Sequence, residues 1–155
     1  MSSENRTKPC LFSAISGVIT LNGEPVKNAQ LKRIVSKAHA QGKVTDETTT
    51  DENGYFSMPA VFDKVLLAKV LPMEFSVPQE IFVYYKGKEY DIWSGVKRKR
   101  EENSESRGKP LVVKCDLEGE RKRISVNDNL IYTRCNWDVE PDPPMVFDPP
   151  EDDED

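Results

Sequence analysis

The chain has 155 residues, three cysteines and a formal net charge of −5. That length accommodates one domain with a modest core. No window is apolar for long enough to cross a bilayer, and Met1 to Pro9 is polar and leads into no long apolar run of secretory type. Much of the acidity sits in Glu151 to Asp155, so the domain is near neutral, which disfavours nucleic acid as a partner. A cytoplasmic protein without a membrane partner is expected.

Taken in chain order, Ile15, Gly17, Ile19 and Leu21 alternate with Ser16, Val18 and Thr20, a strand with one apolar face. Asn22-Gly23 then supplies a preferred hairpin turn. Ala29, Leu31, Arg33 and Val35 predict a second strand. Lys37 to Asp46 lacks periodicity and contains Gly42, so a loop is expected, with a short helix over Lys32 to Ala40 as the alternative. Asp51-Glu52-Asn53-Gly54 predicts a turn between Thr48–Thr50 and Tyr55–Met58, a hairpin with Phe56 and Met58 facing one side. A strand is expected over Val65 to Val70. Ile81–Tyr85 and Glu89–Trp93 flank Lys86-Gly87-Lys88 as a second hairpin.

The stretch from Lys97 to Lys109 is too polar to pack and reads as a long exposed loop. Leu111, Val113, Cys115 and Leu117 resume strict alternation, Glu118-Gly119 turns the chain, and Ile124 and Val126 continue it. A turn at Asp128-Asn129 would set Val126 opposite Ile131, Ile124 opposite Thr133 and Lys122 opposite Cys135. Arg123, Ser125, Tyr132 and Arg134 would then share the opposite face. Many short strands with no long helix predict an all-β sandwich of about seven to nine mostly antiparallel strands. Its expected limits are 12–139, after an N-terminal segment 1–11 and before a proline-rich acidic tail 140–155.

Ser16-Gly17-Val18-Ile19, Asn22-Gly23-Glu24-Pro25-Val26 with Ala29, and Thr50-Asp51-Glu52-Asn53-Gly54-Tyr55-Phe56 together resemble the carboxypeptidase regulatory-like, transthyretin-like sandwiches. With Cys10-Leu11-Phe12 and Thr133-Arg134-Cys135-Asn136-Trp137, the whole chain is similar to a bacterial family of short single-domain proteins of that type, without an assigned reaction. The resemblance implies a transthyretin-like (immunoglobulin-like) fold and an accessory protein, cytoplasmic or exported. It informs fold more than function.

Hydrolases and iron dioxygenases on transthyretin-like folds depend on several histidines, and His39 is the sole histidine here. No GxSxG elbow occurs. Cys10, His39, Cys115 and Cys135 are chemically fit for zinc, but their spacing offers no local chelate, and buried thiols are the expected reading. Cys115 and Cys135 both fall on inward strand positions and would be able to pair if the chain were exported. Asp46, Asp51, Glu52 and Asn53 offer oxygens for calcium, but the full twelve-residue ligand pattern is missing and the turn itself explains Asp51, Asn53 and Gly54. No metal or cofactor is expected.

The basic runs Lys97-Arg98-Lys99-Arg100 and Arg121-Lys122-Arg123 are flanked by acids and read as a solvated loop and a charged strand edge, or equally as the rim of a protein interface. In the tail, Met145, Val146 and Phe147 are an apolar island between prolines, either a strap on the sandwich or a motif that docks in a partner. The expected function is a non-catalytic bacterial protein-binding module, an immunity protein or adaptor for a toxin or secretion-system effector. Its expected contact residues are Arg98, Lys99, Arg100, Arg123, Tyr132, Arg134, Met145, Val146 and Phe147. The alternatives are a cryptic enzyme using Asp51 or Asp91 with a nearby tyrosine or lysine, and a structural homo-oligomer.

Overall fold

A computed structural model describes residues 8–37, 42–64 and 75–144. Thirteen strands occur among them: β1 (Cys10–Phe12), β2 (Ile15–Leu21), β3 (Glu24–Pro25), β4 (Gln30–Ser36), β5 (Lys43–Thr49), β6 (Tyr55–Met58), β7 (Val61–Phe62), β8 (Val77–Tyr85), β9 (Lys88–Lys97), β10 (Leu111–Asp116), β11 (Lys122–Val126), β12 (Asn129–Thr133) and β13 (Cys135–Asn136). The count exceeds the expected seven to nine because four of these strands are only two or three residues long. The strand expected over Val65 to Val70 lies outside the described residues.

The fold is an all-β sandwich. A six-stranded antiparallel sheet runs β11-β12-β9-β8-β4-β5. A second sheet runs β13-β10-β2-β3, with β6 also paired to β2, and β1 pairs β7. The period-2 alternation of each strand turns one row of side chains inward. Leu31, Val35, Ile81, Val83 and Ile131 from the large sheet share one core with Ile15, Ile19, Phe56, Leu111 and Val113 from the other. In β9 the alternation breaks at Ile92, an extra residue between Trp93, which pairs Ile81, and Asp91, which pairs Phe82. That bulge buries Ile92 and Trp93 together. Trp93 then stacks between Phe12 and Trp137, with ring centroids 5.6 and 5.3 Å away.

Two glycines are required by geometry. Gly17 sits where β2 runs parallel to β10, and a Cβ there would lie 1.9 Å from the Val113 carbonyl oxygen. Gly54 has φ +78° in the turn after Asp51, and a Cβ would come 2.5 Å from the Ile19 carbonyl oxygen.

Several expectations are corrected. Lys43–Thr49 is a strand rather than a loop, paired along the whole of β4; with Val44 as its one strongly apolar residue it has no periodic signal of its own. The β11–β12 turn is Asn127-Asp128, both left-handed at φ 52° and 65°. Ile124 therefore pairs Ile131, and the register is displaced by two residues from that expected. A shift of two preserves the faces, so Ile124 and Ile131 still share one side. Cys115 and Cys135, read as thiols, are joined in a disulfide. Directly opposed on β10 and β13, their Cα atoms are 4.1 Å apart.

The segment 97–109 is not wholly exposed. Lys97, Ser104, Glu105 and Ser106 are buried, the last three in a single 3₁₀ turn. Glu105 explains why: its carboxylate accepts from the Ser13 hydroxyl at 2.6 Å, the Ser13 N–H at 3.1 Å and the Gln79 amide at 3.2 Å. The Trp137 indole N–H donates to the Glu105 carbonyl at 3.1 Å. A buried carboxylate is tolerated when its oxygens are saturated with donors. The Lys97 ammonium donates to the Lys99 and Glu101 carbonyls, and burial lowers its pKa. Cys10 and Leu11 are likewise buried, so the domain starts before residue 12, and at the other end it extends to the 140s, where Asp142 is tied down.

A basic groove beside strand β11

β11 is one edge of the large sheet. In an antiparallel pair every second residue turns its N–H and C=O away from the partner, and one such outward carbonyl, that of Ser125, accepts from the Asp142 N–H at 2.7 Å. The Asp142 carboxylate accepts in turn from the Asn127 and Asp128 N–H groups, both at 2.8 Å, the Ser125 hydroxyl at 3.0 Å and the Arg107 guanidinium at 2.6 Å. Burial alone would raise its pKa, but these hydrogen bonds outweigh burial and hold it below the usual carboxylate value. Arg107 spends its remaining donors on the Glu140 carbonyl and Asn127.

A second device sets the groove's other wall. The buried Asn129 side chain accepts from the backbone N–H groups of Arg98 and Lys99 at 2.8 and 3.2 Å, and donates to the Ser104 hydroxyl at 3.0 Å. One side chain on β12 thereby seats the start of the 97–109 segment against the β11–β12 hairpin. The result is an open groove of about 1280 Å³ with Arg98, Lys99, Lys122 and Arg123 around it, Ile124 and Leu130 as apolar surface, and Pro141 to Pro144 along it. That size exceeds a typical small-molecule cleft and suits a stretch of chain. Asp128 and Asp142 also line it. Asp128 lies 3.7 Å from the Lys99 ammonium, and Lys122 donates to Asn136, its pKa lowered by partial burial.

Of the residues expected to meet a partner, Arg98, Lys99 and Arg123 come together here. Arg100 lies outside the groove, although its carbonyl accepts from the Cys10 N–H at 2.9 Å. Tyr132 is 45% exposed and directly opposite Arg123, but its ring is covered by the Arg121 guanidinium, 4.6 Å from the centroid. Arg134 lies outside the groove, half-buried, and its guanidinium donates to the Asp91 and Gly119 carbonyls, fixing a loop to β9. Met145, Val146 and Phe147 lie outside the described residues. Sequence reasoning missed Asn129 and Asp142, whose partners are 25 or more residues distant or on a turn whose position it misplaced.

The other candidates are absorbed by the fold. The disulfide takes two of the four sulfur and nitrogen ligands considered for zinc. Cys10 is buried, its thiol pushed up to about 11 by that burial, and His39 lies outside the described residues. Asp51 caps its own turn through the N–H groups of Asn53 and Tyr55, and Asp46 pairs with Arg33. Asp91 is raised by burial against the pull of Arg121, 3.6 Å away, but does not line the groove. Among the described residues no three His, Cys, Asp or Glu side chains gather as a metal site, and no helix is long and apolar enough to cross a membrane.

These features define an all-β sandwich with a basic groove at one sheet edge. Residues 15–120 match the family model described as a domain of unknown function (DUF6795), and the chain belongs to that family. No curated protein and no solved structure matches the chain.

Proposed function

We propose that the chain is a non-catalytic protein-binding module whose partner offers an extended acidic segment to the groove beside β11. The observation that carries this reading is the meeting of four cationic side chains, Arg98, Lys99, Lys122 and Arg123, with apolar surface and a sheet edge. An extended strand satisfies an edge through backbone hydrogen bonds, while alternate side chains read the surface. Carboxylates add steering and a salt-dependent share of affinity. The role of immunity protein or adaptor expected from the sequence is one use of such a surface, and a transthyretin-like scaffold is compatible with it.

The test is an amide NMR titration of the full chain with an alternating Glu-Val decapeptide. Shifts centred on Arg98, Lys99 and Lys122–Ser125 are expected, weakening with salt and absent in the Lys122→Glu, Arg123→Glu double variant. Shifts elsewhere, or shifts that persist in that variant, would refute the reading. Tight binding of a single-stranded oligonucleotide in place of the peptide would replace it.

A further inference from the structure

We infer that residues 145–155 of this same chain are the resident ligand of the groove, so that a partner binds by displacing them. The inference rests on the proposed reading of the groove and adds its regulation.

Three observations carry it. The tail leaves from the groove itself: Pro141 to Pro144 line it, and two residues before Pro144 the chain is pinned at Asp142 by its own N–H and by four donors to its carboxylate. The next residues, Met145 to Asp155, read MVFDPPEDDED, an apolar triplet followed by Asp148 and Glu151 to Asp155, with no basic residue. That composition complements a groove of cations beside Ile124 and Leu130. Of the two carboxylates at the groove, Asp142 is paired with Arg107 and Asp128 offsets Lys99, which leaves the charges of Arg98, Lys122 and Arg123 to the tail.

Reach is sufficient. Eleven residues span at most roughly 36 Å extended, and the five residues of β11 about 17 Å. A short tether supplies an effective concentration in the millimolar range. A tail that would bind only at millimolar strength if detached is therefore bound about half the time, and each further tenfold in its affinity lowers a competitor's apparent affinity about tenfold.

The experiment uses three full-length proteins: the native chain, a tail-neutral variant (Asp148→Asn, Glu151→Gln, Asp152→Asn, Asp153→Asn, Glu154→Gln, Asp155→Asn), and the Lys122→Glu, Arg123→Glu variant. Amide spectra of the free proteins and titrations with the Glu-Val decapeptide are recorded at low salt and at high salt. Neutralising the tail should move the amides of Arg98, Lys99 and Lys122–Ser125, leave the Lys86-Gly87 hairpin unmoved, and tighten peptide binding about tenfold. That gain should vanish at high salt. Equal affinities with unmoved groove amides would overturn the inference while the groove reading stands. Moved groove amides without peptide binding in any variant would uphold the tail's seat and defeat the proposed function. Unmoved amides and no binding would defeat both.

Discussion

The two edges of the large sheet are guarded by different means. At β5 the edge is short of apolar side chains, and Asp46 points inward to meet Arg33, with hydrogen bonds of 2.9 and 2.6 Å. An inward charge on an edge strand penalises any second strand that would shift its register. At β11 the guard is a separate piece of chain, held at the Glu140 carbonyl by Arg107 and at Asp142, and prolines on either side of Asp142 offer no donors. One edge is closed by its own side chains, and the other by a segment distant in sequence. That difference is why the proposed interface is placed at β11 rather than at β5.

Breaking the β5 guard should have the largest effect. Arg33 is fully buried, bonded also to the Pro59 carbonyl at 2.5 Å and stacked on Phe12, while its Nη1 has no partner. Asp46→Ala leaves that charge without its half-buried partner and should cost roughly 3 kcal/mol, the low end for breaking a buried pair, lowering the thermal midpoint by about 8 °C. Arg33→Met together with Asp46→Ala removes both charges and should cost much less. A midpoint within about 2 °C of native for Asp46→Ala alone would show that the pair contributes little. Next in size is the disulfide, which closes a 20-residue separation. Its reduction should cost roughly 3 kcal/mol by loop-closure entropy, read as a lower denaturant midpoint. It should leave peptide binding at β11 intact, because β13 and β10 belong to the other sheet.

The same contrast explains what was legible in the sequence. Asn22-Gly23, Asp51 to Gly54 and Lys86-Gly87 are local turn signals, and a turn forms at each. The hairpin at Lys86-Gly87 forms in full between β8 and β9, and that at Asn22-Gly23 only as the two-residue β3. On either side of Asp51 to Gly54, β5 and β6 pair with β4 and β2 in different sheets, so the hairpin expected there is not formed. Asn127, Asp128 and Asn129 are all turn formers, so local chemistry alone did not choose among them. The left-handed pair Asn127-Asp128 won, releasing Asn129 to bury its side chain under Arg98 and Lys99. Strand β5 was hidden because an edge facing solvent needs no apolar alternation. Burial of Glu105 was illegible because its partners Ser13 and Gln79 are 92 and 26 residues away. The groove's cations were visible as two basic runs, but only the pairing of β9, β12 and β11 brings those runs together.

At the β11 edge, Asp142→Ala should cost about 1–2 kcal/mol, since the donors it releases are partly within reach of water. Acid makes the same point without mutation. Asp142, Asp63 and Asp116 all have depressed folded pKa values. Their stabilisation is present above the unfolded value of 3.8 and is lost as pH falls through the folded values. Asp91 has the opposite sign: its raised pKa is a penalty at neutral pH that protonation relieves. Stability should therefore hold or rise slightly on mild acidification and fall below about pH 4. Asp142→Ala should flatten that fall. An acid limb of unchanged steepness would show that Asp142 contributes no linkage.

The smallest change in stability is expected where the β5 edge meets solvent. Lys43 and Glu47 are exposed on β5, and Glu47 accepts from the Gln30 side chain at 2.9 Å. Replacing both with valine removes two charges without touching the core, and valine suits a strand, so unfolding free energy should stay within about 0.5 kcal/mol of native. What should change is association. With the charges gone and the outer side of β5 unpaired among the described residues, a second copy gains an edge to extend. Light scattering over a concentration series should show the variant forming larger species while the native chain keeps its mass. A variant of unchanged mass throughout would mean that the inward Asp46 alone guards this edge. An equal gain in the native chain on neutralising only its acidic tail would place the vulnerable edge at β11.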